Sequence, residues 1–349
     1  MTDSEGRFRM PAEWERQERM WLSWPSAKQL WPGNLEKVQG QLIELVLLFA
    51  DHGCIGINGV SPDHPLWKRN LSGLSSEKRG KIQFSGIENN DAWCRDHGPT
   101  FVFDEKRCSL IGVDWNFNAW GEKYLPWDKD RRLAQALLDQ LDIQRIECPF
   151  IGEGGGLEVD GVGTLILTES VWANPNRNPE WKFEGILRWL KEHLGVAQIH
   201  TFKEGLIDDD TDGHVDMFAR FVSDSAILLN SVRSVSHRQS RACAAIKEQA
   251  EGFRMISSGH YDLLNLPMPE PVVDGSGNIC PATYANYTIF NELIVVPQYR
   301  QEKSDAYALG VIQECFPSHQ VIGFDSELFI LEGGSIHCLT QNQPETANL

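Results

Sequence analysis

The 349-residue chain is 41% hydrophobic and 23% charged, the composition of a globular protein with a large core, and its net charge of -17 excludes nucleic acid, whose phosphates need a basic surface. The same acidity attracts small cations, unless it serves only to keep the protein dissolved. Eight scattered cysteines without a C-x-x-C pair give no zinc ribbon, the charged stretch 1–20 lacks a signal peptide's apolar core, and no apolar run approaches the roughly 20 residues that span a bilayer, so the protein reads as cytoplasmic with no membrane partner.

In chain order, a spare apolar stretch from Met20 to Trp24 precedes the clearest helix, Asn34 to His52, with Asn34 as cap and Leu35, Val38, Leu42, Leu45 and Phe49 as its stripe. Gly53 ends that helix, and a strand follows at Cys54 to Val60. An insertion occupies 63–79. The helix-then-strand order recurs at 129–141 with 144–149, and at 179–194 with 197–202, where Asn178 is the expected cap and Pro179 the first helical residue. It recurs again at 236–251 with 253–257 and at 302–315 with 319–323. Hairpins are expected at 100–103/109–113, 157–160/164–168, 215–222/226–231 and 284–289/293–297.

Helix starts at 34, 129, 179, 236 and 302 suggest a degenerate structural repeat of five units. The last unit shows one strand, Ser335 to Thr340, so Met20 to Trp24 is its natural hairpin partner. That pairing closes the chain into a ring without exposed edges and makes residues 1–349 a single catalytic domain; an ordinary α/β sandwich is the open alternative.

The loops between units hold the reactive residues. His214 and Asp216 are two apart, which on a strand points both to one face, and Gly213 permits a sharp entry; a solvated hairpin start is the plain alternative. The run Asp208, Asp209, Asp210, Asp212 lies beside an apolar strand, where carboxylates are costly without a cation. Gly333 and Gly334 precede Ser335, His337 and Cys338, so a backbone of unusual freedom delivers a cysteine among polar neighbours. Cys54, Cys148, Cys243 and Cys315 read as small hydrophobes, Cys108 as part of a hairpin, and Cys94 and Cys280 as rivals. Trp93 and Asp96 pair an aromatic face with a carboxylate, which suits a flat guanidinium, although Trp93 in the core with an Arg95–Asp96 salt bridge fits equally. Glu153, before three glycines, is a second acceptor or a turn residue.

These segments together resemble the agmatine deiminases and the bacterial-type peptidylarginine deiminases of the guanidine-modifying (pentein) superfamily. The resemblance runs through MPAEWERQERMWLSWP (10–25), NDAWCRDHGPTFV (90–102), WNFNAWGEKYLPWDKD (115–130), EGGGLEVDGVGTLILTE (153–169), DDTDGHVDMFARF (209–221), IVVPQY (294–299) and EGGSIHCLTQNQP (332–344). It implies a five-bladed pseudo-symmetric α/β propeller of ββαβ-type units. It further implies Cys338 as nucleophile, His214 as general acid and base, and Asp96 and Asp216 as the guanidinium clamp. Glu153, Trp93, Asp210 and Gly334 are implied at the substrate site, with no metal and no cofactor. Two departures bear on substrate choice: Gly-Gly-Ser-Ile-His-Cys follows a glutamate where many relatives have Gly-Gly-Gly-Asn, and TYANYTIFN replaces the commoner SYVNFY.

The implied reaction is hydrolytic deimination of a small cationic guanidine, foremost agmatine to N-carbamoylputrescine, with an arginyl peptide as the alternative. Amidino transfer, zinc held by His214, Asp216, His337 and Cys338, and a non-catalytic binder are the remoter readings. Whether Arg95, Arg220 or Arg233 reaches the pocket, and whether the chain forms a homo-oligomer, stay open at this level.

Overall fold

A computed structural model describes residues 7–346, so parts of the expected domain, 1–6 and 347–349, lie outside the described residues. Its strands form five sheets. Each holds an antiparallel pair joined through a helix to a parallel strand, the mixed α/β arrangement expected from alternating periodicities.

The first sheet pairs Thr100–Asp104 with Ser109–Asp114, then passes through helix Asp130–Leu141 to Gln144–Glu147; Phe8–Arg9 adds an edge. The second uses Glu158–Val159, Thr164–Thr168, helix Phe183–Leu194 and Gln198–Phe202. The third uses Ala219–Ser223, Ala226–Ser231, helix Ser240–Glu251 and Asp262–Pro267, and the fourth Thr288–Phe290, Leu293–Gln298, helix Glu302–Cys315 and Gln320–Asp325. The fifth joins the last described strand to one from the N-terminal region. Thr340–Pro344 lies antiparallel to Gln17–Ser23, with Thr340 opposite Leu22 and Asn342 opposite Met20, and helix Leu35–Phe49 leads on to the parallel strand Cys54–Asn58. The spare stretch at 20–24 therefore does partner the last strand.

Burial explains why these segments hold. The helix Leu35–Phe49 hides Val38, Leu42, Leu45, Val46 and Phe49, while Leu35, expected in the stripe, is only half-buried. Each such side chain contributes about 1.5–3 kcal/mol. Asn34 stands at the N-cap position but its side chain makes no capping bond. The insertion forms two short helices, Pro65–Ser72 and Ser76–Lys81, anchored by buried Trp67.

Several expected elements differ. The helix expected from Pro179 begins at Phe183, because Asn178 is committed elsewhere: it accepts from Ile151 N and donates to the carbonyls of Ile151 and Trp172. No strand forms at 253–257. Phe253 instead stacks on His200 with centroids 4.4 Å apart, so its apolar character reflects core packing, and the parallel strand starts at Asp262. The strand expected at 335–340 begins only at Thr340, because the residues before it form the short helix Ile336–Leu339. The hairpin strands expected from 215 and 284 start later, at Ala219 and Thr288, because the preceding residues turn into the site.

Candidate active site

Three short turns deliver the polar residues. Asp96 sits in the helical turn Cys94–His97, and Cys338 in Ile336–Leu339. His214 and Asp216 flank Val215 in a 3-10 turn, Val215–Met217, not on a strand face as expected. Gly213 supplies the sharp entry with φ +106, and the His214 amide is tied to Thr211 Oγ1 at 3.0 Å. All four side chains are at most 5% exposed.

Asp96, His214 and Asp216 meet around Gly155. A Cβ at that glycine would stand 2.6 Å from His214 Nδ1, 2.9 Å from Asp96 Oδ1 and 3.2 Å from Asp216 Oδ2, so no side chain fits there. The Gly155 amide donates to Asp96 Oδ1 at 2.9 Å, and the Trp120 indole N–H donates to Asp96 Oδ2 at 3.0 Å. Asn286 joins the other two: its Nδ2 lies 3.2 Å from both Asp216 Oδ2 and Cys338 Sγ. Asp216 Oδ1 is buried without a partner, an orphan acceptor that calls for a polar ligand.

The His214 ring nitrogens stand 3.7 Å from Asp96 Oδ1 and 3.5 Å from Glu153 Oε2. Burial disfavours charge on this ring, but Asp96 and Glu153 outweigh it and raise its pKa to about 9, so it carries a proton at neutral pH. Burial, then Asp216 and Asp96, push the Cys338 thiol well above its ordinary range. Burial also raises Asp96, whereas the hydrogen bond and charge of His337 outweigh burial at Asp216 and keep it low.

Glu153 is less free than expected. Arg177 Nε donates to both its oxygens, at 2.8 and 3.1 Å, and both side chains are fully buried. Burial would raise Glu153, but Arg177 and His214 hold it low. Most of the acidic run proves to be partnered: Arg238 pairs with Asp208, and Asp212 takes Arg177 and Lys123 at 2.6 and 2.8 Å, whereas among the described residues Asp209 is held only by Thr211 at Oδ1 and its Oδ2 is buried without a partner. Asp210 accepts from the Tyr124 hydroxyl at 2.5 Å.

Cys338, Asp96, Trp93, Gly334 and Asp210 line one cavity of about 460 Å³. Trp93 leans on Trp31 with ring centroids 5.4 Å apart, and a Cβ at Gly334 would stand 2.4 Å from the Trp93 ring. Gly334 thus makes room for that aromatic wall. Arg95 does not pair with Asp96; it donates to His337 O and Asn342 Oδ1. Arg220 binds Glu13 and Glu158, and Arg233 lies over Tyr307, so none of the three lines the cavity. Asp91, Asp96, Asp208, Asp210, Asp274 and Glu332 do line it, and among the described residues no lysine, arginine or histidine does; His214, Asp216 and Glu153 are not in its lining, His214 standing 3.7 Å from the lining residue Asp96 and Asp216 joined to Cys338 through Asn286. Of the rival thiols, Cys94 is fully buried and pushed up to about 12 by that burial, while Cys280 reaches the cavity wall and is pushed up to about 11 by burial and its acidic neighbours. Among the described residues no three His, Cys, Asp or Glu side chains are arranged to hold a metal ion.

A family model of the Porphyromonas-type peptidyl-arginine deiminases matches residues 9–344. The chain belongs to that family. Among its relatives is the agmatine deiminase of Pseudomonas aeruginosa strain UCBPP-PA14, 34% identical over 97% of this chain and 95% of that one. In structure, the family resemblance extends to the agmatine deiminase of Enterococcus faecalis, with TM-score 0.89 and 29% identity over 97% of this chain and 96% of that one. A C. jejuni agmatine deiminase with substrate bound superposes with TM-score 0.86 at 26% identity, covering 97% and 96% of the two chains.

Trp120, Asn286, Gly155 and Arg177 were not among the residues expected at the site, although Trp120 and Gly155 lie inside segments that carry the family resemblance and Asn286 lies in TYANYTIFN, which departs from the family pattern. Trp120 reaches Asp96 only because Ala119, Trp120, Gly121 and Glu122 form a left-handed turn, with φ of 54, 56, 93 and 63. L-residues pay about 1–2 kcal/mol each for that conformation, and no sequence pattern announces it.

Proposed function

We propose that the chain hydrolyses agmatine to N-carbamoylputrescine and ammonia through an amidino-cysteine intermediate on Cys338, as a hydrolase of carbon–nitrogen bonds in linear amidines. The carrying observation is the cavity wall: six carboxylates and, among the described residues, no basic one. Such a wall suits a substrate with a cation at each end and repels the carboxylate of free arginine. The named agmatine deiminases, similar over nearly their whole length, support the same substrate over an arginyl peptide.

In this reading Asp96 and the orphaned Asp216 Oδ1 grip the guanidinium, Trp93 forms an aromatic wall made possible by Gly334, and Asp210 bounds the mouth. Glu153 acts on the substrate through His214. Binding of the cation lowers the cost of the Cys338 thiolate, whose proton leaves to solvent. Sγ then bonds to the guanidinium carbon, giving a neutral tetrahedral adduct. Protonated His214 gives its proton to one amino group, the C–N bond breaks, and ammonia leaves a cationic amidino-thioether. Neutral His214 next takes a proton from water, whose oxygen bonds to the same carbon. The C–S bond breaks, the thiolate returns, and loss of the remaining hydroxyl proton forms the ureido carbonyl.

The five sheets, the fifth pairing Thr340–Pro344 with Gln17–Ser23, support a five-bladed ring that acts as one domain. Eight free cysteines fit a reducing cytoplasm. Ureido product and ammonia from wild type and Cys338→Ala, offered agmatine, free arginine and a blocked arginyl peptide, test the proposal. Agmatine turnover lost in the variant is expected; turnover of the peptide alone would move the chain to protein citrullination, and no turnover at all would sink deimination.

A further inference from the structure

His337 precedes the nucleophile, and no step above uses it. Its ring is buried, with Nδ1 2.7 Å from Asp216 Oδ2 and Nε2 2.8 Å from Glu13 Oε2. Both ring nitrogens thus face carboxylate oxygens, which accept from a ring N–H. Glu13 is itself fixed: Oε2 takes Arg220 Nη2 at 2.6 Å, and Oε1 accepts from Ile289 N at 2.7 Å. Arg220 also binds Glu158 at 3.0 Å and the carbonyls of Ala285 and Tyr287 at 2.9 and 2.6 Å. Those two residues flank Asn286, whose carbonyl accepts from His337 N at 3.2 Å and whose Oδ1 accepts from Cys338 N at 3.3 Å.

The consequence falls on Asp216. Its Oδ2 is held from two sides, by His337 Nδ1 and by Asn286 Nδ2, while its Oδ1 has no partner. We propose that His337 is a positioning residue for the reaction: its Nδ1–H bond to Oδ2 turns Asp216 so that Oδ1 faces the substrate guanidinium. Glu13 and Arg220 brace the ring from behind, which ties the segment ahead of Gln17–Ser23 to the reacting centre. This inference rests on the deimination reading. A purely structural His337 would act through its Nε2 bond to Glu13, stapling that N-terminal segment to the end of the chain.

The two roles separate because an asparagine amide reaches the place of Nδ1 and a glutamine amide that of Nε2. In the full chain, His337→Asn keeps the donor to Asp216, His337→Gln the donor to Glu13, and His337→Ala neither. With agmatine, kcat of His337→Asn is expected within about tenfold of wild type, and those of His337→Gln and His337→Ala to fall about 100-fold with smaller changes in KM. Glu13→Gln, which leaves the Asp216 contact in place, is expected to stay within about tenfold. Equal activity of the Asn and Gln variants, wild-type activity of the Ala variant, or a 100-fold loss in a folded Glu13→Gln would overturn the proposal. Calorimetric affinity for agmatine, measured with each change on a Cys338→Ala background, is expected to follow the same order. A wild type that binds agmatine without turning it over, with that order intact, would sink deimination alone; no ordering in affinity would sink the role of His337.

Discussion

Arg177 Nε spans both oxygens of Glu153, at 2.8 and 3.1 Å, in a fully buried pair that stands 3.5 Å behind His214. Removing the arginine strands a buried carboxylate. Arg177→Met is therefore expected to lose about 3–5 kcal/mol of stability in urea unfolding and most of its activity. Adding Glu153→Gln removes the stranded charge, so the double variant should regain much of the stability while remaining inactive. A double variant less stable than Arg177→Met would refute this account.

His214 links activity and stability to pH. Its folded pKa of about 9 lies above the ordinary 6.5, so the stabilisation from its proton is full below about 6.5 and fades as pH rises through about 9. Denaturant unfolding from pH 6 to 10 should show wild type losing stability relative to His214→Asn across that window. The acid for ammonia departure is lost over the same range, so the pH profile of kcat should fall on its alkaline side. A flat stability difference would contradict the assigned charge.

Cys338 is held as a thiol by burial and by Asp216 and Asp96. Alkylation of the free enzyme by iodoacetamide at pH 8 should be slow. A guanidine that binds without reacting should accelerate it, about tenfold for each pH unit by which the bound cation lowers the thiol's pKa, until the ligand itself shields the sulfur. Absence of any acceleration across a series of small guanidines would reject substrate-assisted thiolate formation.

Gly155 tests how closely Asp96, His214 and Asp216 meet. Its φ is not among the positive ones, so alanine is tolerated by the backbone, yet the added Cβ would stand 2.6 Å from His214 Nδ1. Gly155→Ala is expected to lose at least about 100-fold in kcat. Circular dichroism should show the fold retained; a fully active variant would mean that the cluster is looser than described.

Trp120→Phe keeps an aromatic ring but removes the N–H that binds Asp96 Oδ2 at 3.0 Å. A hydrogen bond to a charged group contributes about 1.5–3 kcal/mol, so kcat/KM for agmatine should fall about tenfold or more. An unchanged value would show that Gly155 N alone orients Asp96.

The amino-acid sequence alone specified the hairpins, the helical stripes, and the loops that carry Asp96, His214, Asp216 and Cys338, because period and punctuation record which face each segment buries. It also marked Met20 to Trp24 as a strand in search of a partner, which Thr340–Pro344 proves to be. Other features rest on contacts distant in sequence. Arg177 claims Glu153, His337 reaches Glu13 from the far end of the chain, and Asn286 bridges Cys338 and Asp216 only once the third, fourth and fifth sheets have packed. The left-handed turn that aims Trp120 is likewise held from outside, by Asn176 and through Lys123. Local sequence encodes the preferences of a segment; which buried charge finds which partner is decided when distant segments exclude water together, since only then does an unpaired carboxylate become costly.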